Sequence, residues 1–470
     1  MISKENRDGS GDKGMEALSI AEVSAAVRGE MNKEIELTID SISTDTRQLE
    51  PGDLFIALVG ENFDAHDFLE QAFAKGAKAA VVSADKEYSI DQPLIKVEDT
   101  TRALQDLAAY YLQQFSIPVI AVTGSTGKTT TKDLIASVLK QKYKTLKTQG
   151  NFNNEIGLPL TLFRLDDSYQ ALVLEMGMRG LGEITRLTEI APPDIAVITN
   201  VGQTHIELLG SIENIARAKS ELVQSLDSRG TAVLNADDQR VQKMSQVTTA
   251  NTIYYGLERE ADVRGEDIKT LANEDKVSFK LATGDRKEKV ILPMPGEYNV
   301  YNALAAATVG LELGLDLEQI KTGLATASLT GKRNQIIRTE DNIKIINDTY
   351  NANPTSVRAG LKTLSQIAEQ RKIAVLGDML ELGSVAESEH HKLGSVVVDE
   401  EIDYLITIGD LAVEIANGAA DNGLNKSKIF TYNNKENALV KLKNIIKSDD
   451  TILVKASRGM KLEEIVESIS

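Results

Sequence analysis

The chain has 470 residues, 42% of them hydrophobic and 26% charged, a composition typical of a globular protein with a sizeable core. This length is too great for one hydrophobic core, and we expect three domains. The net charge of −18 disfavours binding to nucleic acid or to anionic lipid. The chain has no cysteine, which excludes disulfides, thiolate zinc sites and a cysteine nucleophile. Any metal therefore needs oxygen ligands, histidine or a modified lysine.

Neither a membrane helix nor a signal peptide is indicated, because no apolar run approaches the ~18 residues that a membrane span needs. We expect a cytoplasmic protein without membrane insertion, and a monomer. Residues 1–14 are polar and contain glycine, and are predicted to form a flexible N-terminal extension.

The rest of the chain predicts an α/β protein of three domains. Residues 15–114 mix short strands and helices, with a strand at Leu54–Leu58, a helix over 65–76 and a strand at Ala79–Ser83. From residue 115 to 330, short apolar runs alternate with helical stretches, which indicates a parallel sheet with crossover helices. The pattern restarts over 331–470 and predicts a Rossmann-like C-terminal domain, with the linker at 331–334.

Four strands of the central domain end in polar or glycine-rich segments. The phosphate-loop candidate follows Val119–Val122, and Glu175, Asn200 and Asn235 follow the next three apolar runs. Ligands of open α/β sheets bind beyond the carboxyl ends of the strands. The four segments are therefore expected to converge on one crevice, although polar residues after strands are also ordinary turn formers.

The strongest local motif is Gly124-Ser-Thr-Gly-Lys-Thr-Thr130, between a predicted strand and a predicted helix. Backbone N–H groups at a helix N-terminus bind phosphate, Lys128 can reach the β- and γ-phosphates, and Thr129 can ligate magnesium. The motif departs from the general phosphate loop, since its leading glycine lies only three residues before Gly127. The alternative is a glycine-rich turn that caps a helix.

Lys219 occupies a position that the helical pattern assigns to the core. The apolar seam of this helix runs through Ile212, Ile215, position 219, Leu222 and Leu226. Burial would lower the pKa of the lysine, and a neutral amine can take up carbon dioxide as an anionic carbamate, a magnesium ligand. A lysine that extends along the helix face to solvent is the alternative.

Two further side chains are candidate metal ligands. Glu175 ends a strand, where a carboxylate can hold a magnesium ion bound to the nucleotide, or can simply be exposed. His205 follows another strand of the same predicted crevice, and is either a ligand or a structural histidine.

With these motifs in place, the sequence resembles the Mur ligase family over nearly its whole length. The resemblance lies in many ordered segments, namely TGSTGKTTTKD (123–133), GNFNNEIGLPLTL (150–162), LEMGMRGLGEI (174–184), ITNVGQTHIELLGS (198–211), ARAKSEL (216–222), LNADD (234–238), PGEYNVYNALAA (295–306), NDTYNANPTS (347–356), LGDMLELG (376–383) and KASRGMKLEE (455–464). The shortened phosphate loop is similar to the one this family uses.

The resemblance implies a set of site residues. ATP would be bound by the loop residues Gly124, Ser125, Thr126, Gly127, Lys128, Thr129 and Thr130, by Asn299 and Asn302 at the adenine, and by Arg333 and Asp348. One magnesium ion would be held by Thr129 and Glu175, and a second by His205 and carbamoylated Lys219; Lys128, His205 and Lys219 would be catalytic. The UDP part of the substrate would contact Ser43, Thr44, Arg47 and His66 in the first domain.

The implied reaction belongs to peptidoglycan precursor synthesis. ATP would phosphorylate the terminal carboxylate of a UDP-linked muramoyl tripeptide, and the amine of D-alanyl-D-alanine would attack the acyl phosphate. Two alternatives remain: a ligase of the same family that adds an amino acid or a glutamate tail, and a nucleotide-dependent switch without ligase chemistry. The segments 348–354 and 377–383 favour the dipeptide-adding type by resemblance.

Overall fold

A computed structural model describes residues 14–328, 331 and 335–470 as a mixed α/β protein. The predicted extension, apart from Gly14, and most of the predicted linker lie outside the described residues. Among the residues described, no helix is long and apolar enough to cross a membrane.

The N-terminal segment forms the predicted α/β unit. Its elements are β1 (Leu18–Ser19), α1 (Ile20–Ala26), β2 (Glu30–Met31), β3 (Thr38–Ile39), β4 (Ile42–Ser43), β5 (Leu54–Ile56), α2 (Leu69–Ala74), β6 (Ala79–Ser83), β7 (Leu94–Val97) and α3 (Thr100–Leu112). The sheet order is β2-β7-β6-β5-β4, parallel except for β2, and β1 pairs separately with β3.

Two predicted elements of this segment are shorter than expected. The strand from Leu54 ends at Ile56, because the chain turns back and the Leu58 carbonyl accepts a hydrogen bond from the Ala65 N–H. The predicted helix over 65–76 is a 3-10 turn, Ala65–Phe68, followed by α2.

The central segment carries the phosphate loop. Its elements are β8 (Val119–Thr123), α4 (Lys128–Leu139), β9 (Thr145–Lys147), α5 (Gly157–Leu162), β10 (Ala171–Glu175), α6 (Glu183–Ile190), β11 (Ile195–Ile198), α7 (Ile206–Leu209), α8 (Ile212–Gln224), β12 (Thr231–Asn235), α9 (Gln239–Gln242), β13 (Asn251–Gly256), β14 (Val263–Leu271), β15 (Lys276–Thr283), β16 (Arg286–Leu292), α10 (Glu297–Glu312) and α11 (Leu317–Ala325). Strands β8, β11, β12, β13 and β14 pair in parallel in that order, and β15 and β16 extend the sheet in antiparallel fashion. Strands β9 and β10 also pair in parallel.

The C-terminal segment forms its own sheet, as the restarted pattern predicts. Its elements are β17 (Gln335–Arg338), β18 (Lys344–Asp348), α12 (Pro354–Ile367), β19 (Lys372–Gly377), α13 (Ala386–Asp399), β20 (Tyr404–Ile408), α14 (Val413–Asp421), β21 (Ile429–Tyr432), α15 (Lys435–Ile445), β22 (Thr451–Lys455) and α16 (Glu463–Ile469). The order is β17-β18-β22-β19-β20-β21, parallel except for β17. Adjacent residues Ile345 and Ile346 belong to different apolar clusters, since side chains alternate between the faces of a strand.

Two compact units make up the described chain. The first comprises the residues up to 119 together with 143–176 and 185–193, and the second comprises 120–142, 177–184 and 194–470. These units divide the chain differently from the three predicted domains, and the predicted limits at 114 and 330 stay predictions. The second unit contains the phosphate loop, His205 and Lys219, whereas Glu175 belongs to the first.

Candidate active site

Backbone geometry at two glycines shapes the phosphate loop. Gly127 caps α4 with a φ of +80°, and Gly124 has a φ of +153°. A Cβ atom on Gly127 would lie 2.5 Å from Asn302 Oδ1, and one on Gly124 would overlap the Thr199 hydroxyl. Both positions therefore require glycine, and the loop leads directly into the N-terminus of a twelve-residue helix. This arrangement presents backbone N–H groups to an anion.

The segment after β11 braces the loop from one side. Asn200 Oδ1 accepts hydrogen bonds from the Thr126 N–H at 3.0 Å and from the Thr126 hydroxyl at 3.1 Å. Asn200 Nδ2 donates to the Thr126 carbonyl at 3.1 Å, and the Thr199 hydroxyl donates to the same carbonyl at 2.6 Å. Asn235 at the end of β12 donates to the Thr199 carbonyl at 2.9 Å. Asn200 and Asn235 thus do converge near the loop.

Helix α10 supports the loop from another side. The Thr131 hydroxyl donates to Asn302 Oδ1 at 3.1 Å, Asn302 Nδ2 donates to Asn299 Oδ1 at 3.2 Å, and Asn299 Nδ2 donates to the Pro295 carbonyl at 2.6 Å. Both asparagines are buried. These two asparagines, which are predicted to bind the adenine, thus form a hydrogen-bonded chain that ends at Thr131 of α4.

Two lysines of the second unit, Lys128 and Lys219, differ in their surroundings. Lys128 Nζ folds back and donates to the Gly124 carbonyl at 2.7 Å. Lys219 on α8 is only 2% exposed, so the lysine follows the buried seam and does not extend to solvent. Burial, and secondarily the charge of Lys128, lower the pKa of Lys219 well below its usual range. A buried amine of low pKa is the species that the carbamate prediction needs.

His205 is the N-cap of α7 and has a left-handed backbone, with a φ of +55°. Its Nδ1 atom lies 2.5 Å from Glu381 Oε2, a carboxylate of the C-terminal segment. Burial is the main cause that lowers the pKa of His205. The nearby Glu381 carboxylate raises this pKa, and the charges of Lys128 and Lys219 lower it. Lys128, His205 and Lys219 therefore interact electrostatically within one unit.

Glu175 lies at the end of β10, buried to 2% exposure. Asn153 Nδ2 donates to Glu175 Oε1 at 2.7 Å, and the Glu175 N–H donates to the Thr148 hydroxyl at 3.0 Å. The hydrogen bond from Asn153 thereby helps to orient the Glu175 carboxylate at the end of the strand.

Asp348 ends β18 and forms a buried ion pair with Lys455 at 2.5 Å, while Lys455 also donates to the Asn351 carbonyl at 2.9 Å. This ion pair links the carboxyl ends of the adjacent parallel strands β18 and β22. Arg333, predicted to reach the nucleotide, lies outside the described residues.

The four predicted UDP contacts lie in the first unit. Arg47 is exposed and its guanidinium holds Asp45 at 2.7 Å, which lowers the pKa of that carboxyl. The hydroxyl of Ser43, at the end of β4, donates to the Asp45 carbonyl at 3.1 Å, and Thr44 between them is half-buried.

His66 is enclosed by the same unit. Nδ1 of His66 lies 2.5 Å from Asp64 Oδ1, and Nε2 accepts from the Ser83 N–H at 3.0 Å. Both ring nitrogens of His66 therefore already have partners within the first unit.

The available donors suit a hard divalent cation. Within the described ranges, no group of three or more His, Cys, Asp or Glu side chains is arranged to hold a metal. In the second unit, the Thr129 hydroxyl, the His205 imidazole and a carbamate oxygen on Lys219 would supply oxygen and imidazole ligands, which magnesium accepts. The Glu175 carboxylate of the first unit is a further oxygen donor of this kind.

Sequence reasoning missed two residues. The sequence predicts Asn200 only as a polar residue after a strand, whereas its side chain forms hydrogen bonds with three atoms of Thr126. The contact between Glu381 and His205 could not be predicted from local sequence, because the two residues are far apart along the chain.

Family comparisons cover almost the whole chain. Three family models match: "Mur ligase family, catalytic domain" over 38–112, "Mur ligase middle domain" over 122–310 and "Mur ligase, glutamate ligase domain" over 332–458. A UDP-N-acetylmuramoyl-tripeptide--D-alanyl-D-alanine ligase of Bacillus subtilis is 40% identical, covering 96% of this chain and 98% of its own length. The Escherichia coli protein of the same name is 35% identical, with 97% and 99% covered.

Solved structures give the same result. A MurF crystal structure from Acinetobacter baumannii has a TM-score of 0.90 at 33% identity, covering 97% of this chain and 99% of that chain. MurF ligase from Thermotoga maritima in complex with ADP has a TM-score of 0.82 at 30% identity, covering 91% and 96%. The α/β fold and the phosphate loop define an ATP-dependent ligase of three family domains. The chain belongs to the Mur ligase family.

Proposed function

We propose that the chain joins D-alanyl-D-alanine to UDP-N-acetylmuramoyl-tripeptide in cytoplasmic peptidoglycan precursor synthesis. The observation that carries the proposal is the 40% and 35% identity, over nearly full length, to two ligases named for this reaction. The grouping of a phosphate loop, His205 and a buried Lys219 in one unit supports the ligase chemistry.

The reaction proceeds in two steps. A carboxylate oxygen of the tripeptide attacks the γ-phosphorus of ATP, the bond to the β-phosphate oxygen breaks, and ADP leaves. The amine of D-alanyl-D-alanine then attacks the acyl carbon, inorganic phosphate leaves with the former carboxylate oxygen, and the nitrogen loses a proton. The carboxylate and the γ-phosphate repel each other, so positioning and charge neutralisation dominate catalysis.

The side chains around the loop divide this task. Backbone N–H groups of 127–130, at the start of α4, hold the β- and γ-phosphates, because the N–H groups of Ser125 and Thr126 already donate to Asn200. Lys128 leaves the Gly124 carbonyl to bind phosphate oxygens. Two magnesium ions, when bound, neutralise developing negative charge. Thr129 and Glu175 would hold one of them, and His205 with carbamoylated Lys219 the other.

The remaining predicted contacts complete the substrate sites. Asn299 and Asn302 would recognise the adenine, and Arg333 and Asp348 would reach the nucleotide. The uridine nucleotide would contact Ser43, Thr44 and Arg47 in the first domain, with the loop of His66. The enzyme acts as a monomer, and its partners are the two substrates, without nucleic acid.

Amine-dependent ADP release tests the proposal. The enzyme is incubated with ATP and each pairing of UDP-muramoyl monopeptide, dipeptide or tripeptide with D-alanyl-D-alanine, D-alanine, L-lysine or L-glutamate. We expect ADP release only with the tripeptide and D-alanyl-D-alanine, together with a product heavier than the tripeptide by the dipeptide less water. Release with a single amino acid would identify another ligase of the family, and a parallel incubation with folate and L-glutamate tests for a ligase that adds a glutamate tail. Release without any amine would indicate a nucleotide switch.

A further inference from the structure

Glu381 joins the C-terminal segment to the segment that carries His205. One carboxylate oxygen of Glu381 lies 2.5 Å from His205 Nδ1, and the other lies 3.4 Å from the Arg179 guanidinium. The Glu381 carbonyl also accepts a hydrogen bond from the Glu207 N–H at 3.4 Å. Next to these contacts, Ile206 packs against an apolar cluster of the C-terminal domain. Side chain and backbone of Glu381 therefore both meet the start of α7.

The backbone at this contact is unusual on both sides. His205 has a φ of +55° and Glu381 a φ of +64°, in the left-handed region that residues with a Cβ rarely adopt. Strained conformations persist where surrounding contacts impose them, and they cluster at functional sites. The contact between His205 and Glu381 is therefore a candidate functional contact.

The loop that carries Glu381 is held firmly by the C-terminal domain. Buried His390 accepts a hydrogen bond from the Met379 N–H at 2.9 Å, and the Leu380 N–H donates to the Ser457 hydroxyl at 2.9 Å. The Asp378 carboxylate accepts from the Leu411 and Ala412 N–H groups at 3.0 and 2.7 Å. Glu381 therefore moves with this domain and not independently of it.

The chemistry of the contact determines what His205 can offer. An ionised carboxylate can only accept a hydrogen bond, so the Glu381 carboxylate 2.5 Å from Nδ1 favours the imidazole tautomer with its hydrogen on Nδ1, which leaves the lone pair of Nε2 available. A histidine that ligates a metal through one nitrogen commonly donates a hydrogen bond from its other ring N–H to a carboxylate. This bond orients the ring and makes the ligating nitrogen more basic. The Glu381 carboxylate lies in the position from which it can orient the His205 ring in this way.

We propose that Glu381 is the positioning residue for His205, supplied by the C-terminal domain, so that docking of this domain completes the second metal site. The inference rests on the proposed function, since it takes His205 as a metal ligand. Because coupling between two binding events is reciprocal, the second metal ion also stabilises the docked position of the C-terminal domain.

Manganese binding to the full chain tests the proposal. Free Mn²⁺ is measured by electron paramagnetic resonance in the presence of a non-hydrolysable ATP analogue and the UDP-muramoyl tripeptide. The parent is expected to bind two ions. Glu381→Gln keeps the size of the side chain but removes the carboxylate, and should weaken the second ion about 10- to 100-fold while the first is unchanged. Glu387→Gln, on the exposed face of the next helix, is the matched control and should bind both ions normally.

A second variant guards against misfolding. Glu381→Asn also removes the carboxylate, and asparagine adopts the left-handed backbone more readily than glutamine. It should melt no lower than the parent and still lose affinity for the second ion, an effect that a purely structural role would not produce. Unchanged affinity in both variants, or loss of both ions, overturns the positioning role. A parent that binds one ion only would instead refute the second metal site of the proposed function.

Discussion

Lys128 at the start of α4 and Lys219 on α8 repel one another, and this repulsion adds to burial in lowering the pKa of Lys219. Within the described residues, no carboxylate forms an ion pair with Lys219. The lowered pKa increases the share of neutral, nucleophilic amine, and a carbamate would convert a destabilising buried group into an anion that attracts the charge of Lys128.

Removal of this amine tests the carbamate through activity. Lys219→Ala should lower kcat by roughly 10²- to 10³-fold, the effect of losing a charged group that stabilises the transition state. Formate or acetate should restore part of the rate, because a small carboxylate can occupy the vacated space. Arg217→Ala, exposed on the same helix, is the control and should remain active without added carboxylate. An active Lys219→Ala enzyme, or one that no carboxylate rescues, would contradict the carbamate.

Stability against pH gives an independent test. The pKa of Lys219 is lower in the folded than in the unfolded chain, so the unfolded chain binds more protons and the free energy of unfolding rises with pH up to the ordinary lysine range near 10.5. In buffer free of carbon dioxide, Lys219→Met should be more stable than the parent by roughly 1 to 3 kcal/mol at pH 7, since it removes a buried polar group. The gain should shrink as the pH rises.

Bicarbonate should then stabilise the parent and leave Lys219→Met unchanged. Both proteins are unfolded in urea at several pH values, with and without bicarbonate. Equal responses to bicarbonate would show that the carbamate does not form on Lys219.

The brace on the phosphate loop depends on Asn200. Asn200→Ala removes the acceptor of the Thr126 N–H and one of the donors to its carbonyl. The loss of these bonds, ~1 to 3 kcal/mol, should raise the KM for ATP about 5- to 100-fold if the loop becomes mobile. Steady-state kinetics at saturating tripeptide and dipeptide measure this, with the exposed Asn251→Ala as the control. An unchanged KM would show that the brace does not order the loop.

Two glycines distinguish backbone strain from steric overlap. Gly127 and Gly284 both have left-handed backbones, with φ of +80° and +53°. A Cβ on Gly284 would meet nothing within 4 Å, whereas one on Gly127 would lie 2.5 Å from Asn302 Oδ1. Both alanine variants should lose about 1 kcal/mol from strain, but only Gly127→Ala should also lose ADP binding. Calorimetric titration with ADP and thermal melting measure the two effects, and equal ADP affinity would refute the steric role.

Local sequence accounts for much of the molecule. The apolar runs, the turns between them and the glycine loop predicted the α/β fold class, and the structure confirms it. The helical seam correctly placed position 219 in the core, because periodicity reports which face of a helix is buried. The shortened helix over 65–76 was predicted less well, because the hydrogen bond from the His66 N–H to the Asp64 side chain favours a 3-10 turn there.

The sequence by itself determined which groups are present: a loop that must contain glycine, a lysine on an apolar face, and polar residues at strand ends. Only the tertiary structure decided which of them meet. Asn200 reaches Thr126 because β11 pairs beside β8, and Glu381 reaches His205 because a loop of one domain contacts the other. Contacts between residues far apart in the chain leave no periodic or local pattern, since they depend on how whole elements pack.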